Sequence, residues 1–285
     1  SSGEEVLEFA KYLQLLLRYL GVSDADMEKG QMRVEANVSL GHEAKGSVKL
    51  GTKVEVKNIN SFKAVQGAID YEISRQEKIL RSGEKVKQET RGWDDVKRAT
   101  FSQRSKEEAH DYRYFPEPDL PPFETNVLDL ESIRRSIPEL PREKLERFKK
   151  EYKFSEAQAG VLTQDIQMAN FYEEAASELA QWEKEEKEGE GEVKRAQILL
   201  FNYITSDLRG LMNERGVRFH ELKISPENLA ELVDLISEEK ITSRQAKDIL
   251  KKMFEDGSDP HEVMKSEKFE TVLGKDALQK VVREI

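Results

Sequence analysis

Residues 32–40 alternate strictly: Met32, Val34, Ala36, Val38 and Leu40 fall on one side of an extended chain, and Arg33, Glu35, Asn37 and Ser39 on the other. A period of two does not fit a helix, so this stretch is a strand with one buried face and one polar face. Thr52–Asn58 repeats the pattern with Lys53, Glu55 and Lys57 on one side. The Gly- and Lys-containing connector over 41–51 is short enough to fold the two runs into an antiparallel pair, which brings their polar faces together. The residues leave two outcomes open for that face. It meets water, as the outer face of most antiparallel sheets does, or it carries chemistry.

Helices are predicted on either side of the second run. Ser2 with Glu5 fits a capping box, and Val6, Phe9, Leu13, Leu16 or Leu17, and Leu20 recur at helical spacing up to Gly21, giving a helix over 3–20. Asn58-Ile-Asn-Ser61 reads as a turn in which Ser61 caps a helix outlined by Phe62, Val65, Ile69, Ile73, Ile79 and Leu80 and closed by Gly83. The free amides of such a helix start attract anions, phosphate included. Two short strands follow, over 85–91 and 99–104, carrying Gln88, Glu89, Arg91 and Arg104 around a turn at Trp93–Asp95. Arg104–Pro122 then mixes both charge signs with His110, Tyr112 and Arg113, shows no apolar period, and ends in prolines that exclude a helix or a central strand. Its side chains either contact something or form a solvated connector.

Beyond Pro122 the period changes to that of helices, over 129–136, 141–152, 155–162, 164–182 and 193–214, and no strand pattern returns. Glu183–Glu192, almost purely charged with two glycines, reads as a mobile solvated loop. Ser225 and Pro226 make a clean helix start, and three or four short helices fill the remainder. In the second of these, Ala246, Ile249, Leu250 and Met253 mark a buried stripe, while Arg244, Lys247 and Lys251 share a neighbouring face that Lys240 and Lys252 thicken. That basic stripe is either the wet side of the helix or a contact for phosphate. The predicted fold class is α+β: a sheet with helices over 1–122, a helical domain over 123–223 and a small helical tail over 224–285.

Composition narrows the chemistry. A net charge of −10 over 285 residues argues against binding nucleic acid over the whole surface and leaves room only for a local basic patch. With no cysteine there is no disulfide frame or thiolate metal site, and four scattered histidines argue against zinc. No apolar run reaches the roughly 18 residues that span a bilayer, and no basic-then-apolar leader opens the chain. A Walker loop, a G-x-G-x-x-G and a placeable Ser-His-Asp set are all missing, so any nucleotide site is unconventional. Phosphoryl transfer needs carboxylates for magnesium and cations for phosphate charge. Glu35 and Glu55 supply the first from one sheet face, and Lys57, Arg91, Arg104 and Arg113 the second.

Four blocks in order carry a resemblance: Met32-Arg-Val-Glu-Ala-Asn-Val-Ser39, Gly51-Thr-Lys-Val-Glu-Val-Lys-Asn-Ile-Asn-Ser-Phe62, Gln88-Glu-Thr-Arg-Gly-Trp-Asp94, and Arg104 to Pro122. They resemble the signature blocks of the B subunit of the aspartyl/glutamyl-tRNA(Asn/Gln) amidotransferase, and the similarity runs the length of the chain. The resemblance implies a cradle domain with an antiparallel sheet, a helical domain and a YqeY-like tail that contacts tRNA through Lys240, Arg244, Lys247 and Lys251. It implies a carbon-nitrogen ligase (EC 6.3.5.-) that uses ATP and Mg2+ to activate the side-chain carboxylate of Glu-tRNA(Gln) or Asp-tRNA(Asn) as an acyl phosphate. Ammonia released from glutamine by an A subunit displaces the phosphate, and the pair is braced by a small C subunit. Neither a membrane nor DNA is an expected partner, and the setting is the cytoplasm or an organelle matrix.

By the same resemblance Arg33, Glu35, Asn37 and Lys57 are catalytic, and Asn58, Asn60, Ser61, Arg91, Arg104 and Arg113 bind the nucleotide. Glu35 and Glu55 hold the metal. Val34 and Glu35 stand where the family form has Cys-Asp, so the carboxylate is kept with one more methylene. In the family the chain starts well before the position of residue 1, so these 285 residues alone are expected to be inactive. The alternative is a non-catalytic fragment that binds or scaffolds tRNA.

Overall fold

A computed structural model describes residues 2–44, 47–105, 118–186 and 190–267. The first helix is α1 (Gly3–Tyr19), opened by Ser2, whose hydroxyl accepts the Glu5 amide at 3.2 Å. The alternating runs become β1 (Val34–Val38) and β4 (Val54–Ile59), paired antiparallel. Between them the expected connector is itself a hairpin, β2 (Gly41–Ala44) with β3 (Ser47–Leu50), a two-stranded sheet of its own.

Ser61 caps α2 (Phe62–Arg81) by accepting the Ala64 amide at 3.1 Å, and β5 (Glu89–Asp94) and β6 (Ala99–Ser105) complete a sheet ordered β1-β4-β5-β6. The fifth strand begins later than its sequence suggests, at Glu89. The sheet is mixed rather than wholly antiparallel, because β4 and β5 run parallel. The twenty-residue α2 lies between them and returns the chain to the end of the sheet from which it left, as parallel pairing requires.

The inner face of this sheet packs Ala36, Val38, Val56, Ile59 and Trp93 against Ala64, Val65, Ala68 and Ile69 of α2. Gly67 lets the indole approach the helix, since a Cβ there would sit 3.0 Å from Trp93 Cζ2. Beside the apolar contact lies a buried ionic one. Glu72, fully buried, accepts two hydrogen bonds from Arg75 at 2.6 and 2.9 Å, one from Gln76 at 2.9 Å and one from Thr100 at 3.2 Å. Gln76 also donates to the Val38 carbonyl at 3.0 Å and accepts the Leu40 amide at 3.2 Å, which ties α2 to the end of β1. For Glu89, next to this cluster, burial pushes the carboxyl pKa up, but hydrogen bonds from Ser102 and Arg91 outweigh it and hold the group below the ordinary carboxylate value.

The chain forms two compact units that divide between Leu140 and Pro141. The first closes with a 3-10 turn (Thr125–Val127) and α3 (Leu130–Ser136). The second unit contains α4 (Pro141–Glu151), α5 (Glu156–Thr163), α6 (Ile166–Glu186), α7 (Glu190–Asn202), α8 (Arg209–Arg215), α9 (Pro226–Ser237), α10 (Ser243–Asp256) and α11 (Pro260–Ser266), with no strand among the described residues. Its apolar side chains form one core that runs from Phe148 to Val263, continuous across residue 223.

The charged run over 183–192 is helical on both flanks, α6 reaching Glu186 and α7 starting at Glu190. Glu and Lys are good helix formers, so a solvated sequence is not thereby a loop. Residues 193–214, expected as one plain helix, contain a π-helical turn over Tyr203–Leu208 that places Tyr203, Ile204 and Leu208 in the core. Burial in the aromatic cluster around Phe148, followed by the charge of Glu173, pushes Tyr152 up to about 12. The class read from the sequence, α+β with a helical second part, is the class of the fold.

Candidate functional site

Opposite the α2-facing core, the outer face of the sheet is polar, and two irregularities of register fall on it, one between β1 and β4 and one between β5 and β6. Val34 pairs with Ile59 and Ala36 with Val56, so the single residue Glu35 of β1 faces both Lys57 and Asn58 of β4. This is a β-bulge, a device that re-aims side chains locally. Val56 and Ile59 both stay buried, while Lys57 and Asn58 both turn outward. Asn58 takes φ +62°, a left-handed conformation that Asn tolerates better than most residues.

The consequence is a charged cluster. Lys57 Nζ lies 3.4 Å from Glu35 Oε1 and 3.7 Å from Glu55 Oε1, and Glu55 Oε2 accepts a hydrogen bond from Thr90 Oγ1 at 2.9 Å. Asn37 is paired directly with Glu55. At the bulged end an open groove of about 550 Å³ is lined by Arg33, Glu35, Lys57, Asn58 and Asn60, with Met27 and Glu28 on its rim. Lys57 is partly exposed, so its ion pairs are worth at most about 1 kcal/mol each, and an incoming phosphate can compete for it.

Two carboxylates beside one ammonium are the usual protein share of a magnesium site completed by substrate phosphates. Among the described residues no group of three or more His, Cys, Asp or Glu is poised to hold a metal. The donors therefore fit a metal shared with phosphate and do not fit an all-protein cage.

Of the other residues singled out from the sequence, Ser61 and Arg91 are committed to other partners. The Ser61 hydroxyl is occupied by its helix cap. Arg91 sits on the α2 side, where Nε donates to Thr100 Oγ1 at 2.7 Å, one terminal nitrogen to Glu89 at 2.6 Å and the other to the Thr100 carbonyl at 2.8 Å. Arg91 is not among the residues of the groove. Arg104 pairs through its backbone with Thr90 in β5. Arg113, with His110 and Tyr112, lies outside the described residues.

In the second unit, α10 buries Ala246, Ile249, Leu250 and Met253 as its spacing predicts, and exposes Arg244, Lys247 and Lys251. Lys247 is paired with Asp207 at 2.8 Å, and Lys240 with Glu238.

Three further residues stand on the outer face, Thr90, Phe101 and Gln103. A Cβ on Gly92 would meet Phe101 Cζ at 2.7 Å and Gln103 Nε2 at 2.6 Å, so both side chains lie over that glycine, and Phe101 is 46% exposed. The signal is present in the sequence as alternation over 99–103, with Thr100 turned to α2 and Phe101 and Gln103 turned away; beyond it the register shifts, leaving Gln103 as an extra residue between Ser102, paired with Arg91, and Arg104, paired with Thr90.

Comparison with known proteins places these units. The family described as "GatB/GatE catalytic domain" matches residues 1–129, and the one described as "GatB domain" matches residues 190–285, starting in α7. The B subunit of the aspartyl/glutamyl-tRNA(Asn/Gln) amidotransferase of Persephonella marina is 43% identical over 277 residues, covering 97% of this chain and 55% of that protein. The corresponding protein of Thermosipho melanesiensis is 44% identical over 99% of this chain and 56% of its own length, and that of Rippkaea orientalis is 39% identical over all of this chain and 54% of its own length. The chain thus spans about half the length of the curated relatives it matches. Since both family matches and relatives aligned along its whole length agree, the chain belongs to the family of B subunits of aspartyl/glutamyl-tRNA(Asn/Gln) amidotransferases.

Proposed function

We propose that this chain carries part of the site at which ATP activates the side-chain carboxylate of a misacylated Glu-tRNA(Gln) or Asp-tRNA(Asn), and that it works in a complex with a glutaminase A subunit and a small C subunit. The observation that supports this reading most is the Glu35–Lys57–Glu55 cluster on the outward sheet face, inside the stretch matched to the catalytic-domain family. In the proposed reaction a substrate carboxylate oxygen attacks the γ-phosphorus of ATP and ADP leaves. Ammonia derived from glutamine then attacks the acyl carbon, and phosphate leaves. Glu35 and Glu55 would hold a magnesium ion, which would supply neutralisation of phosphate charge. Arg33 and Lys57 orient the phosphates, while the Asn58 and Asn60 amides offer hydrogen bonds at the groove wall. Among the described residues no helix is long and apolar enough to cross a membrane, and the proposed setting is the cytoplasm or an organelle matrix.

The test is amide formation on Glu-tRNA(Gln) and Asp-tRNA(Asn), with ATP, magnesium and glutamine, by the full-length protein assembled with its partners. Product that requires all three supports the reading. Bound tRNA with no amide formed under any of these conditions overturns it.

The exposed stripe on α10 supports a tRNA contact through phosphates. Charge reversal at Arg244 and Lys251 is expected to weaken tRNA binding and to flatten the dependence of log Kd on log salt by about one for each phosphate that is no longer neutralised. Reversal at Lys247, already neutralised by Asp207, is expected to act less. Titrations of labelled tRNA at several salt concentrations measure both, and an unchanged salt slope would remove the stripe from the interface.

A further inference from the structure

We propose that Phe101 and Gln103 form the base-binding end of the nucleoside triphosphate site whose phosphate end is the groove at Arg33 and Lys57. This inference rests on the function proposed above and extends it to residues outside the groove.

The sheet register sets the distance. Lys57 is paired with Gly92, and Gly92 with Phe101, so the three stand in one row across β4, β5 and β6. Two strand spacings separate Lys57 from Phe101, about 10 Å between backbones. That is the scale of a nucleotide stretched from its base to its outer phosphates. All three residues present the face opposite α2, because their immediate neighbours Val56, Arg91, Trp93 and Thr100 are turned to the α2 side.

Phe101 is a large apolar side chain, 46% exposed on a face otherwise occupied by Glu35, Asn37, Glu55, Lys57 and Thr90. Among the described residues no apolar core lies on that side to explain it. Gly92 carries no side chain and is buried beneath the Phe101 ring and the Gln103 amide, which converge on it. A ring of this kind offers a stacking surface to any base, and an amide offers one donor and one acceptor set, the pattern that meets the N6 and N7 edge of adenine. The simpler account is that the ring only shields the glycine between strands. That account predicts an effect on stability and none on nucleotide binding.

The experiment uses the full-length protein in its complex, with KM for ATP, KM for misacylated tRNA and kcat measured for Phe101→Ala, Phe101→Trp and Lys57→Ala, alongside thermal melts. Phe101→Ala is expected to raise KM for ATP about tenfold, the scale of one lost base stack, with kcat and KM for tRNA within twofold and Phe101→Trp restoring the wild-type value. An unchanged KM for ATP in Phe101→Ala overturns the proposal, and a lowered melting temperature alone would assign the ring to glycine shielding. A rise in KM for tRNA instead of ATP also overturns it, since the ring would then stack on a base of the tRNA. Lys57→Ala separates the two levels. If it abolishes amidation while Phe101→Ala has no effect, only the base subsite fails; if neither variant changes any kinetic constant, the function proposed for this face fails with it.

Discussion

Replacing Glu55 with glutamine in the full-length complex is expected to lower kcat/KM for ATP-dependent amidation by about a hundredfold or more, the cost of removing one charge-stabilising group from a polar reaction site, while tRNA affinity keeps its wild-type value. Glu55 is the best-held member of the cluster: one carboxylate oxygen faces Lys57 at 3.7 Å and the other accepts from Thr90 at 2.9 Å. The glutamine variant retains the size of the side chain and a carbonyl for the Thr90 hydroxyl, so the fold is undisturbed and only the charge is lost. If Glu55 shares a magnesium ion with the substrate phosphates, the variant also demands a higher magnesium concentration for half-maximal rate. A steady-state comparison at several magnesium concentrations decides the matter. A kcat/KM within about threefold of wild type, with no shift in magnesium dependence, would take Glu55 out of the site.

The largest effect on stability is expected at a residue that plays no part in that cluster. Glu72→Ala removes a carboxylate that is fully buried and accepts hydrogen bonds from Arg75, Gln76 and Thr100, with Arg91 Nε 3.7 Å away. Among the described residues the loss leaves the positive charges of Arg75 and Arg91 sharing Glu89 as their remaining carboxylate. Breaking one side of a buried ion network of this kind costs about 3–5 kcal/mol. For a unit of this size the expected fall in melting temperature is on the order of 10 °C or more. Glu72→Gln keeps the shape and part of the hydrogen bonding, so it is expected to fall between the wild type and Glu72→Ala. Differential scanning calorimetry of both variants measures this. A Glu72→Ala melt within about 2 °C of wild type would mean that water or rearranged side chains replace the carboxylate.

Particular residues explain how far the sequence reached. The strands at 34–38 and 54–59 were legible because period-two alternation has no other cheap explanation, and the face carrying Glu35, Asn37, Glu55 and Lys57 followed from it. The bulge was not read, although its trace is in the sequence: alternation from Lys53 through Lys57 would turn Ile59 outward. An apolar residue at the wrong parity is what an extra residue in a strand looks like.

The β2–β3 hairpin escaped because Gly41–Ala44 carries no apolar alternation and Ser47–Leu50 only the two residues Val48 and Leu50. Arg91 shows a different limit. Its residue type suits phosphate, but its partners Glu89, Thr100 and Glu72 lie two residues, nine residues and one helix away, and only the folded arrangement shows that its nitrogens are occupied. Arg113 and its neighbours lie beyond what the structure describes, so their assignment rests on the family resemblance.

The amide of Gln76 has a further consequence. Among the described residues β1 stands at the end of its sheet, and an end strand presents a row of unpaired peptide groups to which another polypeptide can add as a further strand. Gln76 takes the Val38 carbonyl and the Leu40 amide at once, the same donor and acceptor pair that a neighbouring peptide group would take. One helical side chain thus imitates a strand at the place where the edge is otherwise open. Among the described residues, that carbonyl and that amide are occupied from within the chain and are not open to an added strand.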